Sequence, residues 1–247
     1  MTANTGVTRD GFLGGAVTVL QPAEGYRAGL DAVLLAASLS GKTGDMLAEA
    51  GCGAGAALLC AAHRLGGASL TGFERDEAMA ALARESVIAN GMDGRVQVAT
   101  ADVATRPAAL ENTFSASFSN PPFFEPGAIR APAAGKQASY VAETPLKAWI
   151  LFLHHITRPG GSITLIHRAA ALADLLEVLN PRSGEIEVLP IHPAPGAPAR
   201  RILVRARKGL RRGPVTLYDG LTLHSSAGGP LTARADAALA GGDLEWS

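Results

Sequence analysis

Cysteine, charge and long apolar runs are all scarce in this sequence of 247 residues. Its two cysteines, Cys52 and Cys60, lack companion Cys or His residues at metal-ligand spacing, and they are too few for a disulfide framework. We therefore expect no metal site and a reducing compartment. No apolar run reaches the roughly eighteen residues of a membrane-spanning helix, and Met1–Asp10 lacks the basic and apolar regions of a secretory signal. The expected location is cytoplasmic, with no membrane partner.

Charge is low on average but unevenly distributed along the chain. Charged residues make up 18% of the sequence, hydrophobic residues make up 47%, and the formal net charge is zero. This balance is typical of a globular chain, and the length suffices for one large domain with small additions. Seven basic residues and no acidic residue lie between Arg200 and Arg212. The positive charge is thus gathered in one segment, as expected of a surface that binds phosphates.

Short apolar runs alternate with helical segments from Met46 onward. The predicted strands are Met46–Ala50, Ser69–Phe73, Val96–Thr100, Ser115–Ser119, Ser162–His167, Glu185–Leu189 and Ile202–Arg207. The predicted helices are Ala56–Leu65, Asp76–Asn90, Leu146–Thr157 and Ala169–Asn180. Strand and helix in alternation predict an α/β fold with a parallel, doubly wound sheet.

Short additions flank this core, which we place at residues 41–212. Residues 1–40 are expected to form a hairpin over Gly11–Leu20 and a helix over Asp31–Ser40, with Asp31 as the N-cap. Residues 213–247 form a C-terminal extension. It is expected to contain a small strand pair within Val215–Leu223 and a helix over Leu231–Ala240.

Two segments are predicted to be loops within the core. Pro190–Pro198 contains four prolines and is expected to be stiff. Phe123–Glu143 is rich in Ala, Gly and Pro and shows little periodicity, so we expect a long mobile loop. A loop of that length inside a compact domain is commonly functional.

A glycine-rich turn follows the first core strand. In Glu49-Ala50-Gly51-Cys52-Gly53-Ala54-Gly55 the glycines allow a tight turn and a close approach to a ligand, and the next helix offers free N–H groups. Glu74 ends the following strand, where an acid accepts hydrogen bonds from ribose hydroxyls. NAD and S-adenosylmethionine both present a ribose, so these motifs allow either cofactor. A simple turn and a solvated acid are the alternative interpretations.

Asp102 follows the third core strand and has two possible roles. It could bind the amino group of a cofactor adenine, or it could act as a helix N-cap. The two roles are compatible in one residue.

The fourth core strand ends in Ser119-Asn120-Pro121-Pro122-Phe123-Phe124, on the side of an open sheet that faces the ligand crevice. The lone pair of an aryl amine is delocalised into its ring, so the nitrogen needs acceptors for its N–H bonds before it becomes a good nucleophile. The Asn120 side-chain oxygen and the Pro121 carbonyl can supply two acceptors, and the prolines fix the backbone. Phe123 or Phe124 offers a ring for base stacking. A plain turn with core phenylalanines is the alternative.

These motifs together resemble the bacterial methyltransferases that act on N6 of adenine 37 in valine tRNA. The likeness extends to Phe12-Leu13-Gly14-Gly15, Gly25-Tyr26-Arg27-Ala28-Gly29-Leu30-Asp31 and the basic segment Ala199–Gly209. The resemblance implies a class I, Rossmann-like methyltransferase fold with a seven-stranded sheet whose last strand is antiparallel. It also implies S-adenosylmethionine as the cofactor and places Tyr26–Asp31 beside its methionine end. The residues then assigned to the cofactor are Arg27, Asp31, Glu49, Gly51, Gly53, Gly55, Glu74, Asp102 and Asn120.

The resemblance predicts transfer of a methyl group to an exocyclic amine of a nucleobase, with N6 of adenine in tRNA as the first expectation and RNA as the partner. Asn120, Pro121, Pro122 and Phe123 form the expected catalytic motif. Arg200, Arg201, Arg205 and Arg207 are expected to bind RNA, unless they are only a solvated strand face.

The motif also resembles guanine-N2 ribosomal RNA methyltransferases and protein-glutamine methyltransferases. An NAD-dependent oxidoreductase and a non-catalytic S-adenosylmethionine- or RNA-binding module are more remote alternatives. The six histidines are scattered and receive no catalytic role.

Overall fold

A mixed β-sheet lies at the centre of the structure, a computed structural model that describes residues 6–25, 27–123 and 144–246. In chain order the strands are β1 (Val7–Phe12), β2 (Val17–Pro22), β3 (Met46–Ala50), β4 (Ser69–Glu74), β5 (Val96–Thr100), β6 (Phe114–Ser119), β7 (Thr157–Arg168), β8 (Ser183–His192), β9 (Arg201–Lys208), β10 (Thr216–Leu217) and β11 (Leu221–Thr222). The helices are α1 (Leu30–Ala37), α2 (Ala56–Arg64), α3 (Glu77–Ala89), α4 (Leu146–Ile156), α5 (Leu172–Leu179) and α6 (Ala233–Leu239). All seven strands predicted for the core are present, β7 and β8 being longer than expected.

The seven core strands lie side by side in the order β5-β4-β3-β6-β7-β9-β8. Neighbours among β3 to β7 are parallel, whereas β9 is antiparallel to both β7 and β8. This arrangement confirms the predicted Rossmann-like sheet with an antiparallel last strand. β10 and β11 extend the sheet to nine strands along the outer edge of β8.

The strand pair expected within Val215–Leu223 is wrong, because β10 and β11 each pair with β8 in parallel instead of with each other. The reason is the length of β8, which runs through Pro190 to His192 and leaves a long edge of backbone groups to be paired. Pro190, which has no N–H, lies between the part of β8 paired with β10 and the part paired with β11. The stiff loop predicted from Pro190 therefore begins only after His192.

Helices cover the sheet on both faces, as a doubly wound fold requires. Side chains from α1, α2 and α3 form one apolar cluster, and side chains from α4 and α5 form a second. In the second cluster the ring of Phe73 lies edge-on to Phe114 at 5.9 Å and to Phe152 at 5.6 Å between centroids. Among the helices of the three described ranges, none is both long and apolar enough to cross a membrane.

The N-terminal hairpin is present as β1 and β2, which confirms the prediction with longer strands. It is attached to α3 through side chains that satisfy the free edge of β2. Asn90 accepts a hydrogen bond from the Thr18 N–H at 2.9 Å and donates to the Thr18 carbonyl at 2.6 Å. The Ser86 hydroxyl accepts from the Leu20 N–H at 2.9 Å. These bonds pair part of the β2 edge where the hairpin meets α3.

The predicted helix at Asp31–Ser40 is present as α1, but Asp31 is not its N-cap. The helix begins at Leu30, and Gly29 occupies the N-cap position without a side-chain hydrogen bond. Asp31 therefore lies in the first turn, where its carboxylate accepts a hydrogen bond from Arg201 Nε at 2.9 Å. A long-range ion pair has taken the place of the expected local cap.

The C-terminal extension caps the other end of α1. The indole N–H of Trp246 donates to the Ser38 carbonyl at 3.1 Å, and the Leu244 N–H donates to the Ala37 carbonyl at 2.9 Å. Trp246 is only 7% exposed, and the guanidinium of Arg205 lies over its ring at 4.3 Å from the centroid. The extension thus satisfies carbonyls that the end of a helix otherwise leaves to water.

Replacing Trp246 with Ala is expected to lower the free energy of unfolding by about 3 kcal/mol, because a buried aromatic ring and a buried hydrogen bond are both lost. Urea denaturation followed by circular dichroism measures the change. The matched control is Leu217→Ala, since this side chain is 67% exposed and its loss should shift stability by less than about 0.5 kcal/mol. Equal effects of the two substitutions would show that the extension does not stabilise α1.

Candidate active site

The predicted motifs meet at the carboxyl edge of the sheet, where the strand order reverses. From β3 the chain moves outward to β4 and β5 and then returns to β6 on the other side of β3. Ligands bind at such reversals in open α/β sheets because the loops on either side diverge and leave a crevice. The glycine turn follows β3, Glu74 ends β4, and Asn120 follows β6. Fold and motif therefore indicate the same site.

The glycine turn is attached to the neighbouring strand through its backbone. The N–H groups of Gly51 and Cys52 both donate to the Phe73 carbonyl, at 2.7 and 3.0 Å. Gly51, Gly53 and Gly55 have φ values of +68°, +54° and +92°, a region that other residues adopt only with strain. Gly51 also lies against the indole of Trp149, which fills the space where a Cβ would stand.

Glu74 is already bound to this turn. One carboxylate oxygen accepts from the Gly53 N–H and the other from the Asp76 N–H, each at 2.9 Å. The side chain is 6% exposed, and its burial raises the pKa above the usual range while these N–H donors oppose the shift. Each carboxylate oxygen has a further lone pair, so ribose hydroxyls can bind without breaking either bond.

Glu49 lies near the end of β3, the strand beside β4, and is buried more deeply than Glu74. It is 2% exposed, and burial raises its pKa well above the usual range, with the charge of Glu74 adding to the effect. Its Oε2 atom is buried without a hydrogen-bond partner among the described residues. A buried polar atom left without a partner beside a glycine cradle fits a site that takes a polar ligand.

Asp102 caps a turn after β5. Its carboxylate accepts from the Ala104 N–H at 2.8 Å and lies 3.4 Å from a guanidinium nitrogen of Arg75. The segment that follows is a turn and not a helix, so Asp102 is not a helix N-cap. Its carboxylate stands at the carboxyl edge of β5, where the sequence placed it.

Asn120 follows directly on β6, whose last residue is tied to β3. The Ser119 hydroxyl donates to the Ala50 carbonyl at 2.7 Å, which fixes the strand end beside the glycine turn. Asn120 and Pro122 are half-buried, and Pro121 is buried. Phe124 and the rest of the loop predicted up to Glu143 lie outside the described residues, as does Tyr26.

Phe123 contacts two side chains from other strands. The guanidinium of Arg201 lies over its ring at 4.7 Å from the centroid, and the ring of His167 meets it edge-on at 4.7 Å between centroids. Arg201 in turn donates to Asp31. Sequence reasoning missed His167. The signal available was its place at the end of the predicted strand beside β6, the same rule that selected Asn120.

Arg27 and Asp31, which the resemblance assigned to the cofactor, both form ion pairs within the protein. Arg27 binds Asp10 of the hairpin, with a guanidinium nitrogen 2.6 Å from the carboxylate. Asp31 binds Arg201 at 2.9 Å. The structure therefore brings Asp31 to Phe123 by way of Arg201, and it joins Arg27 to the N-terminal hairpin.

The four arginines predicted to bind RNA do not share one surface. β9 runs antiparallel to its neighbours, so it begins at the crevice edge with Arg201 and ends at the opposite edge, where Arg207 pairs with Ser162. Arg205 is held by Glu187 at 2.8 Å and by its stacking on Trp246. Arg200 is exposed and adjoins the crevice. The expected basic stripe is thus reduced at the crevice to Arg200 and Arg201.

Known proteins are similar to this chain in sequence and in structure. Residues 47–161 match the methyltransferase domain family. A tRNA1(Val) (adenine(37)-N6)-methyltransferase from Dickeya chrysanthemi is 25% identical over 185 residues, which are 74% of this chain and 73% of that protein. The protein of the same name from Erwinia tasmaniensis is 30% identical over 152 residues, covering 61% of this chain and 62% of the relative.

Among solved structures, one from Agrobacterium tumefaciens described as a predicted O-methyltransferase is similar over nearly its whole length. It superimposes with a TM-score of 0.74 at 30% identity and covers 87% of this chain and 98% of that one. Together with the sequence relatives, it confirms the methyltransferase fold and family expected from the motifs.

Replacing Gly51 with Ala is expected to destabilise the fold by about 2–4 kcal/mol, because the new Cβ overlaps the Trp149 ring at a left-handed φ. The matched control is Gly91→Ala, since Gly91 has a similar φ of +64° with open space around it and should cost about 1 kcal/mol. Urea denaturation of both variants isolates the contribution of the Trp149 contact. Losses of the same size would mean that the indole yields to the extra methyl group.

Proposed function

The chain belongs to the S-adenosylmethionine-dependent methyltransferases, and on this premise we propose that it methylates the N6 amine of an adenine in tRNA. The observation that carries the proposal is the position of Asn120-Pro121-Pro122-Phe123 at the carboxyl end of β6, beside the glycine turn. Both named sequence relatives act, by their names, on adenine 37 of a valine tRNA. tRNA is therefore the first acceptor to test.

The described residues fit the cofactor at the turn after β3. Gly51–Gly55 and Glu74 form a preassembled cradle, and the buried Oε2 of Glu49 is a polar atom still without a partner. In the proposal Glu74 binds the ribose hydroxyls and Asp102 the adenine amino group. S-adenosylmethionine supplies a methyl group on a positively charged sulfur, which is open to attack by a nucleophile.

The chain's own residues act on the acceptor amine. The Asn120 amide oxygen and the Pro121 carbonyl accept hydrogen bonds from its two N–H groups, so the nitrogen lone pair is drawn out of the ring and toward the methyl group. Phe123 stacks on the base and holds the amine in line. Catalysis then depends on positioning and on acceptors placed in advance, and the amine proton leaves to water after transfer.

An amine fits this site better than a hydroxyl group, although one similar structure is described as a predicted O-methyltransferase. A hydroxyl acceptor has a single O–H and needs a base to take its proton. The histidine beside Phe123 is His167, and burial together with nearby positive charge lowers its pKa to about 4. It is therefore a weak base at neutral pH, whereas two fixed acceptors match the two N–H bonds of an amine.

Replacing Glu74 with Ala is expected to weaken binding of S-adenosylhomocysteine by about tenfold to a hundredfold, because a charged acceptor of the ribose is lost. Isothermal calorimetry measures the affinity. Glu85→Ala is the matched control, because Glu85 is an exposed acid on α3. NAD should bind neither the parent nor the variants. Binding of NAD in place of S-adenosylhomocysteine would contradict the cofactor assignment.

The proposal is tested directly by incubating valine tRNA with labelled S-adenosylmethionine and analysing the nucleosides by mass spectrometry. We expect N6-methyladenosine from the parent protein. Asn120→Ala should lower the single-turnover rate by at least about a hundredfold and leave cofactor affinity within a few fold, because only the transition state uses the acceptor. Label in guanine, in a protein glutamine or in an oxygen-linked product would contradict adenine N6 as the acceptor. A normal rate for Asn120→Ala would reduce the motif to a turn.

A further inference from the structure

Four side chains from separate elements form one chain of contacts beside the proposed acceptor motif. Asp31 of α1 binds Arg201 of β9 at 2.9 Å. The Arg201 guanidinium lies 4.7 Å from the centre of the Phe123 ring, and His167 of β7 meets that ring edge-on. Segments far apart in sequence thus converge on a single aromatic ring.

The described contacts to the Phe123 ring come from Arg201, over one face, and from the ring of His167. The guanidinium lies over one face, where attraction between the cation and the ring holds the two planes together. His167 meets the ring at an interplanar angle of 78°. Phe123 itself is half-buried. In the proposed function, a base that stacks on this ring would use the face opposite Arg201.

Asp31 determines where the guanidinium lies. Arginine is long and has several rotatable bonds, so an unanchored side chain would sample many positions. The Asp31 and Arg201 side chains are only 22% and 35% exposed, and the charged hydrogen bond joins Nε, the nitrogen nearest the stem. The ion pair therefore contributes orientation more than stability.

His167 packs against the Phe123 ring in a T-shaped contact. It is 4% exposed, and its Nδ1 is buried without a hydrogen-bond partner among the described residues. Burial and the charges of Arg168 and Arg201 lower its pKa to about 4, so the ring is uncharged at neutral pH. An unsatisfied buried nitrogen is costly, and such a cost is typically retained where a residue serves the site.

We infer that Asp31, Arg201 and His167 are positioning residues that hold the Phe123 ring in the orientation in which it stacks on the acceptor base. The inference rests on the proposed function, in which that ring stacks on an aromatic base. It gives Arg201 a role distinct from phosphate binding, because the planar guanidinium matters as well as the charge. The exposed Arg200 remains the phosphate-binding candidate.

Arg201→Lys separates the two roles, because lysine keeps the charge and loses the plane. We expect the single-turnover rate at saturating tRNA to fall on the order of tenfold to a hundredfold, with tRNA affinity and its salt dependence nearly unchanged. Arg9→Lys on the exposed hairpin is the matched control and should leave both unchanged. A weakened affinity with a normal saturating rate would make Arg201 a phosphate contact and overturn the inference.

A double-mutant cycle then tests whether Asp31 acts through the ring. Asp31→Asn should lower the rate in the parent protein and have no further effect in a Phe123→Ala background. His167→Phe should keep the rate within about threefold, whereas His167→Ala lowers it, because an uncharged aromatic ring is what the position supplies. Additive losses in an active enzyme overturn this inference alone. Failure of the unmodified protein to methylate RNA overturns the proposed function and this inference with it.

Discussion

The turn after β3 is the constraint on which the rest of the crevice depends. Two of its N–H groups donate to the Phe73 carbonyl, and a third donates to Glu74. The indole of Trp149 packs against the turn at Gly51. These contacts hold the turn from β4 on one side and α4 on the other, so its shape exists before any ligand arrives. The same turn fixes the position of Asn120, because the preceding residue, Ser119, donates a hydrogen bond to the Ala50 carbonyl at the start of the turn.

This preassembly places two carboxyl groups in an apolar environment. Glu49 and Glu74 are both nearly inaccessible to water, and burial raises the pKa of each. Glu74 recovers part of the desolvation cost through two backbone donors, whereas Glu49 keeps one oxygen without a partner among the described residues. A core built only for stability would place apolar side chains there. The arrangement is understandable where a polar ligand completes the hydrogen bonding.

The parts of the fold that follow from local pattern could be predicted from the sequence, and the parts that depend on distant partners could not. The order of strands and helices, and the rule that strand ends form the crevice, correctly grouped the glycine turn, Glu74 and Asn120. The prediction of Asp31 as an N-cap is wrong because capping patterns depend only on residues near in sequence, whereas the partner of Asp31, Arg201, lies 170 residues away. The four arginines lie close together in sequence, yet β9 spreads Arg201, Arg205 and Arg207 from one edge of the sheet to the other. His167 carried no local signal beyond its strand position.

The cap that the C-terminal extension places on α1 connects the outside of the molecule to its crevice. α1 has eight residues and is roughly 12 Å long at 1.5 Å per residue. The Ala37 carbonyl at its end accepts from the Leu244 N–H, the following Ser38 carbonyl accepts from the Trp246 indole, and its first turn carries Asp31. About two turns of helix therefore connect the C-terminal extension to the ion pair between Asp31 and Arg201. A substitution in the extension that shifted α1 would also shift Asp31, although the extension contributes no residue to the candidate site.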